Sequence, residues 1–443
     1  MFNKIKKSII LSILIVLFLF NSESFASDDQ FIDIRIGKAH SLNDKISLSS
    51  KSGFILKNTD NDIVLDLDEI HITFVNSEFY IINDQNYNKI IELSFIDNYE
   101  ILPKSNDFIQ YNGIPYRGSF KIYNKSNAFY IINHISLEEY LYGVLPKEIP
   151  TSAPIEALKA QAIASRTYSL KNINKHITEG YNLCDTTHCQ VYGGQRAENS
   201  NTNSAVDLTK NYVIYYNDSI IDAVFHSSSG GHTESSYNVW GNRVPYLVAT
   251  PDPFSFNSPN SNWNITFSSA VIENSLRNNG ININSLVDIE ILDRTESGRV
   301  KTIKIVSSDK TTLLSGEKFR SIMGNSNFKS TLFDIQKNQD FDTNQYSLIT
   351  ENGRTNINFG FGKIFTLTDK GLKQVSNPSI KVLDTNGVRD LTTNNNVSSF
   401  TFIGKGYGHG VGMSQYGAIE MAKQGYSNEE ILQFYYKDVT ISK

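Results

Sequence analysis

Cysteine is nearly absent from this 443-residue chain, which carries only Cys184 and Cys189. The two lie close together, so no disulfide framework staples the whole fold, and its stability must come from packed cores. Tryptophan is equally scarce, at 2 residues against 23 tyrosines and 26 phenylalanines. Excess positive charge is missing as well: Lys and Arg total 41 against 46 Asp and Glu, a formal net charge of −5, with no local basic cluster. A nucleic-acid binder normally presents a basic face, so nucleic acid is not an expected partner. Beyond Phe20 no apolar run approaches the roughly 20 residues that span a bilayer.

The N-terminus has a different character. Lys4, Lys6 and Lys7 precede an apolar run from Ile9 to Phe20, and Ser24-Phe25-Ala26 supplies the small residues that a signal peptidase accepts. Residues 1–26 are therefore expected to be a signal peptide, and the protein extracytoplasmic, or tethered to the membrane if the segment is retained. Its removal takes away three lysines and one glutamate, moving the net charge from −5 to −7.

From Phe31 to about Tyr111, short alternating runs such as Ile32-Asp33-Ile34-Arg35-Ile36 and Ile70-His71-Ile72-Thr73-Phe74 are separated by Asn/Asp/Gly turns. This period-two pattern predicts half-buried strands. The fold class expected is α+β: a β-rich core with a few helices, preceded by a small all-β module at 27–114. A domain at 115–443 follows, with a β-rich insertion at about 262–400 and a flexible Asn-rich connection from Lys337 to Gln345. The clearest helix is expected to start at Thr151 or Ser152, with Pro154 in its first turn, and to run toward Leu170. Helical spacing puts Gln161, Ser165 and Tyr168 on one face. A second helix, Gln415–Lys423, is predicted after the glycine-rich stretch Gly404–Gly417.

Several segments carry chemistry. Glu148 lies in Val144-Leu145-Pro146-Lys147-Glu148-Ile149-Pro150, where two prolines stiffen the chain and apolar neighbours favour partial burial. Raising a Glu from about 4.3 to the 6–7 of a good general acid takes roughly 3–4 kcal/mol of differential environment. The alternative is a solvated loop glutamate. The loop His226-Ser227-Ser228-Ser229-Gly230-Gly231-His232 lacks the G-x-S-x-G elbow of a serine hydrolase. His409 sits among glycines that let backbone approach a ligand, although a structural loop histidine is the more ordinary reading. His176, Cys184, His188 and Cys189 form a Cys₂His₂ donor set without standard finger spacing. Zinc, a Cys184–Cys189 disulfide and free thiols are the three readings of that set.

Four ordered segments together resemble the stage II sporulation protein D and amidase-enhancer family. They are Leu137–Pro150, the helix Glu156–Tyr168, the loop Phe225–Gly231, and Gly406-Tyr407-Gly408-His409-Gly410-Val411-Gly412-Met413-Ser414-Gln415-Tyr416-Gly417-Ala418. The resemblance implies a peptidoglycan lytic transglycosylase that cuts the MurNAc–GlcNAc β-1,4 bond of peptide-stripped glycan strands. It implies Glu148 as the catalytic residue, with Ile149 in place of the family's usual methionine. On that chemistry Gln161, Arg166, Tyr168, Ser227 and Ser229 are nominated to hold the sugar and stabilise the oxocarbenium-like state, against core packing or capping for each. No cofactor is required for the chemistry. Some sporulation members carry a zinc near the cysteines, which favours a structural zinc here. The other function expected of such a chain is that of a non-catalytic enhancer of an N-acetylmuramoyl-L-alanine amidase partner.

Overall fold

The computed structural model describes residues 30–443, apart from 59–61, 76–77, 83–88, 94–98, 126, 260, 340–345, 351–352, 358–364, 369–370, 375–379, 385–386 and 392–396. The expected signal peptide lies outside the described residues. Among the described residues no helix is long and apolar enough to cross a membrane. The fold is mixed α+β with a β-rich N-terminal part.

The chain divides into two compact units. One comprises the chain up to Ala223 with Ser427–Glu429 and Val439–Lys443; the other comprises Val224–Tyr426 with Glu430–Asp438. In the first unit the strand Phe31–Ser41 buries Ile32, Ile34 and Ile36 and turns Asp33 and Arg35 outward, as its alternation dictates. It pairs antiparallel with Ala128–Ser136, which pairs in turn with Ser119–Lys125. These strands belong to a seven-stranded sheet that also contains Glu100–Pro103, Phe54–Lys57 and Asp62–Leu65. A six-stranded sheet holds the remaining early strands, and one core, including Ile34, Leu48, Phe54, Ile72 and Phe129, joins both sheets to the helices that follow.

The boundary expected at 114/115 is thus not a structural division. Period-two alternation identifies strands but is silent on their partners, and the first strand's partner lies about a hundred residues downstream.

Helix α1 spans Leu137–Glu148 and helix α2 spans Ile155–Lys171. Ser136 caps α1: its Oγ accepts from the Glu139 N–H at 3.4 Å and donates to the Glu139 carboxylate at 3.1 Å. The segment read as a stiff loop therefore belongs to a helix, which tolerates Pro146 within its last turn. Pro150 ends it by driving Ile149 into an extended conformation (φ −131°, ψ 144°). The same rule moves the start of α2 from Thr151 or Ser152 to Ile155. Pro154 is itself the extended N-cap, disfavours helix at Ala153, and offers no side-chain cap. Its carbonyl accepts from the Ala157 and Leu158 amides.

In the second unit, Trp263–Ser268 and Val397–Gly404 pair antiparallel, and Phe333–Gln339 pairs on the other side of Val397–Gly404. The β-rich segment expected at about 262–400 is thus closed at its base by its own two end strands. A second three-stranded sheet and an aromatic core of Trp263, Phe319, Phe328, Phe333, Phe400 and Phe402 complete it. Lys337 to Gln339, expected in a flexible connection, continue a strand; the rest of that connection lies outside the described residues. The predicted helix Gln415–Lys423 is present, capped by Ser414.

Candidate active site and metal centre

Glu148 is the last residue of α1 and is half-buried. Its Oε1 accepts the Val191 N–H at 3.2 Å. The segment that brings Val191 there docks along α1: the Gly193 amide donates to the Gly143 carbonyl, and the Tyr192 ring lies so close to Gly143 that a Cβ there would sit 2.5 Å from it. Two tyrosines lie near enough to feel its charge. Burial pushes the hydroxyls of Tyr140 and Tyr168 well above the usual tyrosine range, and the charges of Cys189 and Glu148 push in the same direction. Both phenols therefore stay protonated at neutral pH and can donate.

Beside them lies a buried polar network. Gln190 Oε1 accepts from Ser169 Oγ at 2.8 Å and from the Tyr140 hydroxyl at 3.4 Å. Its Nε2 donates to the Ser165 carbonyl. Gln161 Nε2 donates to Ser165 Oγ at 3.1 Å, while its Oε1 is buried without a hydrogen-bond partner among the described residues. Of the face expected for Gln161, Ser165 and Tyr168, the first two serve this network. Gln190 was not nominated from the sequence; its place between Cys189 and Val191 was the available signal.

Arg166 has a different environment. It is buried and makes a two-pronged pair with Glu138 (Nε to Oε1 2.8 Å, a terminal nitrogen to Oε2 2.7 Å), and it also donates to the carbonyls of Tyr212 and Val206. Its donors are spent inside the unit.

His176, Cys184, His188 and Cys189 converge, with their ligand atoms all within 4.8 Å of one another. Both cysteines are free thiols. Cys189 Sγ lies 3.5 Å from His176 Nε2 and 3.7 Å from His188 Nδ1, and Cys184 Sγ lies 3.7 Å from the same His188 nitrogen. A hydrogen bond from the Cys189 thiol holds Cys184 far below the normal thiol range and raises Cys189. The set fits zinc: it is compact, largely buried, of mixed sulfur and nitrogen donors, and the other nitrogen of His176 engages Glu179 at 2.8 Å, the partner a ligating imidazole needs. The N-terminal strands help to build it. Leu183–Cys184 pairs parallel with Ile34–Arg35, and the loop is tied to the first strand through Asn182 Oδ1 to the Asp33 amide and Asp185 Oδ2 to the Gly37 amide.

Ser227 and Ser229 belong to the second unit. Ser229 is fully buried and donates to Asp252 at 2.7 Å; Ser255 and Tyr435 also bond to that carboxylate. Ser227 is half-buried, and its carbonyl accepts the Tyr416 amide. The glycine-rich stretch folds against this loop: Phe225–His226 pairs parallel with Met413–Ser414. Gly412, at φ +70°, allows that approach, because a Cβ would lie 2.1 Å from the Val224 carbonyl oxygen. His409 accepts the Val411 amide at Nδ1, and burial lowers its pKa to about 4. The neighbouring His226 is buried too and held well below the usual histidine range.

A stage II sporulation protein family model matches residues 125–216, and a domain of unknown function (DUF8618) matches 200–353. The chain is 36% identical over 313 residues to an amidase enhancer of Bacillus subtilis (strain 168), covering 68% of this chain and 40% of that protein. It is 28% identical over 341 residues to stage II sporulation protein D of the same organism, covering 73% and 79%. An uncharacterized protein of Brachyspira hyodysenteriae is 29% identical over 342 residues, covering 77% and 76%.

Proposed function

Because the chain belongs to the stage II sporulation protein D and amidase-enhancer family, we propose that it is an exported cell-wall lytic transglycosylase acting on peptide-stripped glycan strands, with Glu148 as its acid and base. The observation that carries this reading is the half-buried carboxylate of Glu148 at the end of α1, held by the Val191 amide.

The chemistry accounts for one carboxyl. Inverting hydrolases separate two carboxyls by about 6.5–9.5 Å and retaining ones by about 5–5.5 Å. Here the sugar supplies its own nucleophile. Protonated Glu148 gives its proton to the glycosidic oxygen as the C1–O bond of the muramic acid breaks. The C6 hydroxyl of the same sugar then bonds to C1 and yields its proton to the Glu148 carboxylate. No water is consumed; one product ends in 1,6-anhydroMurNAc and the other carries a free 4-hydroxyl. Tyr140 keeps its proton throughout and donates a hydrogen bond to Gln190, the residue before Val191.

The proposal includes a structural zinc on His176, Cys184, His188 and Cys189. Held by these four residues, zinc would stabilise the fold and leave the proton transfers to Glu148. The chain continues from Cys189 directly into Gln190 and Val191, so order at the metal loop carries over to the amide that holds Glu148.

The test is denuded glycan incubated with purified protein, with products read by mass spectrometry. Anhydro ends support the reading, and ends that have gained water indicate a hydrolase. The 36% identity to an amidase enhancer favours a second reading, a non-catalytic activator of an amidase. Cleavage that appears only when an amidase is added would establish that reading instead.

A further inference from the structure

The scarcity of tryptophan makes the position of each one informative. Trp263 is buried in the core of the second unit, whereas Trp240 is 47% exposed. Tyr237, three residues earlier on the same short helix Ser236–Trp240, is 49% exposed. Three-residue spacing puts both rings on one side of that helix.

Trp240 has no room to withdraw. Trp240 lies against His409 with ring centroids 5.2 Å apart, and behind His409 lies His226 at 5.6 Å. Both imidazoles are fixed by the backbone of Val411, which donates to His409 Nδ1 and accepts from His226 Nδ1. The space under Trp240 is therefore filled. Beyond it, Gly241 turns the chain at φ +83°, and the exposed Arg243 sets its guanidinium 5.0 Å from the Tyr237 ring centroid.

We infer that Tyr237, Trp240 and Arg243 form a glycan-binding platform for N-acetylated sugars bearing a carboxylate. The inference rests on the cell-wall reading above and adds a second contact to it. Pyranose rings present faces of weakly positive C–H groups that match the negative face of an aromatic ring. A peptide-stripped strand also exposes the lactyl carboxylate of each muramic acid, and a cation at the edge of the aromatic pair is its electrostatic complement. A folded protein partner is a poorer match, because a stable interface takes about 800 Å² per side, and two half-exposed rings bordered by charge offer only a fraction of that.

The test uses the full chain carrying Glu148→Gln, which binds without cutting. Denuded glycan fragments should shift the intrinsic fluorescence in a saturable way. Trp240→Phe should lose that signal while co-sedimentation with glycan persists. Trp240→Ala and Tyr237→Ala should each weaken co-sedimentation about tenfold or more. Arg243→Gln should weaken binding of denuded glycan several-fold and leave chitin oligomers, which lack the carboxylate, unchanged. Parent-like binding by both Trp240→Ala and Tyr237→Ala, or a failure of the parent to bind either ligand, overturns the platform. Equal losses on both ligands for Arg243→Gln overturn its carboxylate preference. Absence of cleavage by the unmodified chain would sink the lytic reading alone, because binding is read separately.

Discussion

The Val191 amide donates to Glu148 Oε1 at 3.2 Å, two residues beyond Cys189 of the Cys₂His₂ donor set. One short stretch of chain thus joins that donor set to the carboxylate, through Gln190, which is anchored on α2 and Tyr140.

Glu148→Gln is expected to lower release of anhydro ends from denuded glycan by at least about 10²–10⁴-fold, the range contributed by a positioned acid–base group. Its thermal unfolding should stay close to that of the parent, since an amide oxygen still accepts the Val191 N–H. Release of products at the parental rate would refute the assignment.

Val191→Pro deletes the donor, whereas Val191→Ala keeps it. The proline variant should lose turnover at least tenfold with zinc content and KM close to those of the parent, and the alanine variant should be active. Equal activity in the two variants would show that the hydrogen bond does not position Glu148.

Removing zinc with a chelator, or changing Cys189→Ser, should lower the unfolding temperature and speed amide exchange across 189–193. Exchange rates are the decisive readout, because they report order without requiring turnover. Unchanged protection in that segment would argue against a metal-held loop.

Arg166 and Glu138 form a buried pair, so Arg166→Ala or Glu138→Ala should each cost about 3–5 kcal/mol by leaving the partner charge uncompensated. The double variant should cost much less than the sum. If Arg166 acted only on sugar, Arg166→Ala would raise KM and leave denaturant midpoints in place.

His409 has its pKa lowered to about 4 by burial, with the charges of Arg320 and Arg299 also opposing its protonation. The unfolded chain takes up a proton near pH 6.5 that the native imidazole refuses until about pH 4. Stability contributed by the neutral state is therefore complete above about pH 6.5 and is lost progressively between about 6.5 and 4. Unfolding temperatures should fall over that window, and His409→Asn, which preserves an acceptor for the Val411 amide, should flatten the fall.

Local signals read well from the chain. The alternation of Ile32, Ile34 and Ile36 marked a strand, and the glycine-rich stretch before it marked the helix Gln415–Lys423. The residues around Glu148 carried the family likeness, and the Cys₂His₂ set was visible as a cluster in sequence. Helix ends were less legible, because Pro150 and Pro154 act on the residue before them and outweigh the capping preference of Thr151 and Ser152.

The sequence by itself determined which residue types were available for chemistry: a glutamate between prolines, four metal donors, two tryptophans and no basic surface. Only the tertiary structure decided their use. Arg166 and Ser229 look like ligands for a sugar when read along the chain, yet burial commits one to Glu138 and the other to Asp252. Conversely Gln190 and Val191 carry no signature, because a backbone amide acquires a role only when folding sets a carboxylate in front of it. Periodicity encodes which face of an element is apolar, but the partner that covers that face is chosen by long-range pairing, such as that of Phe31–Ser41 with Ala128–Ser136 and with Cys184.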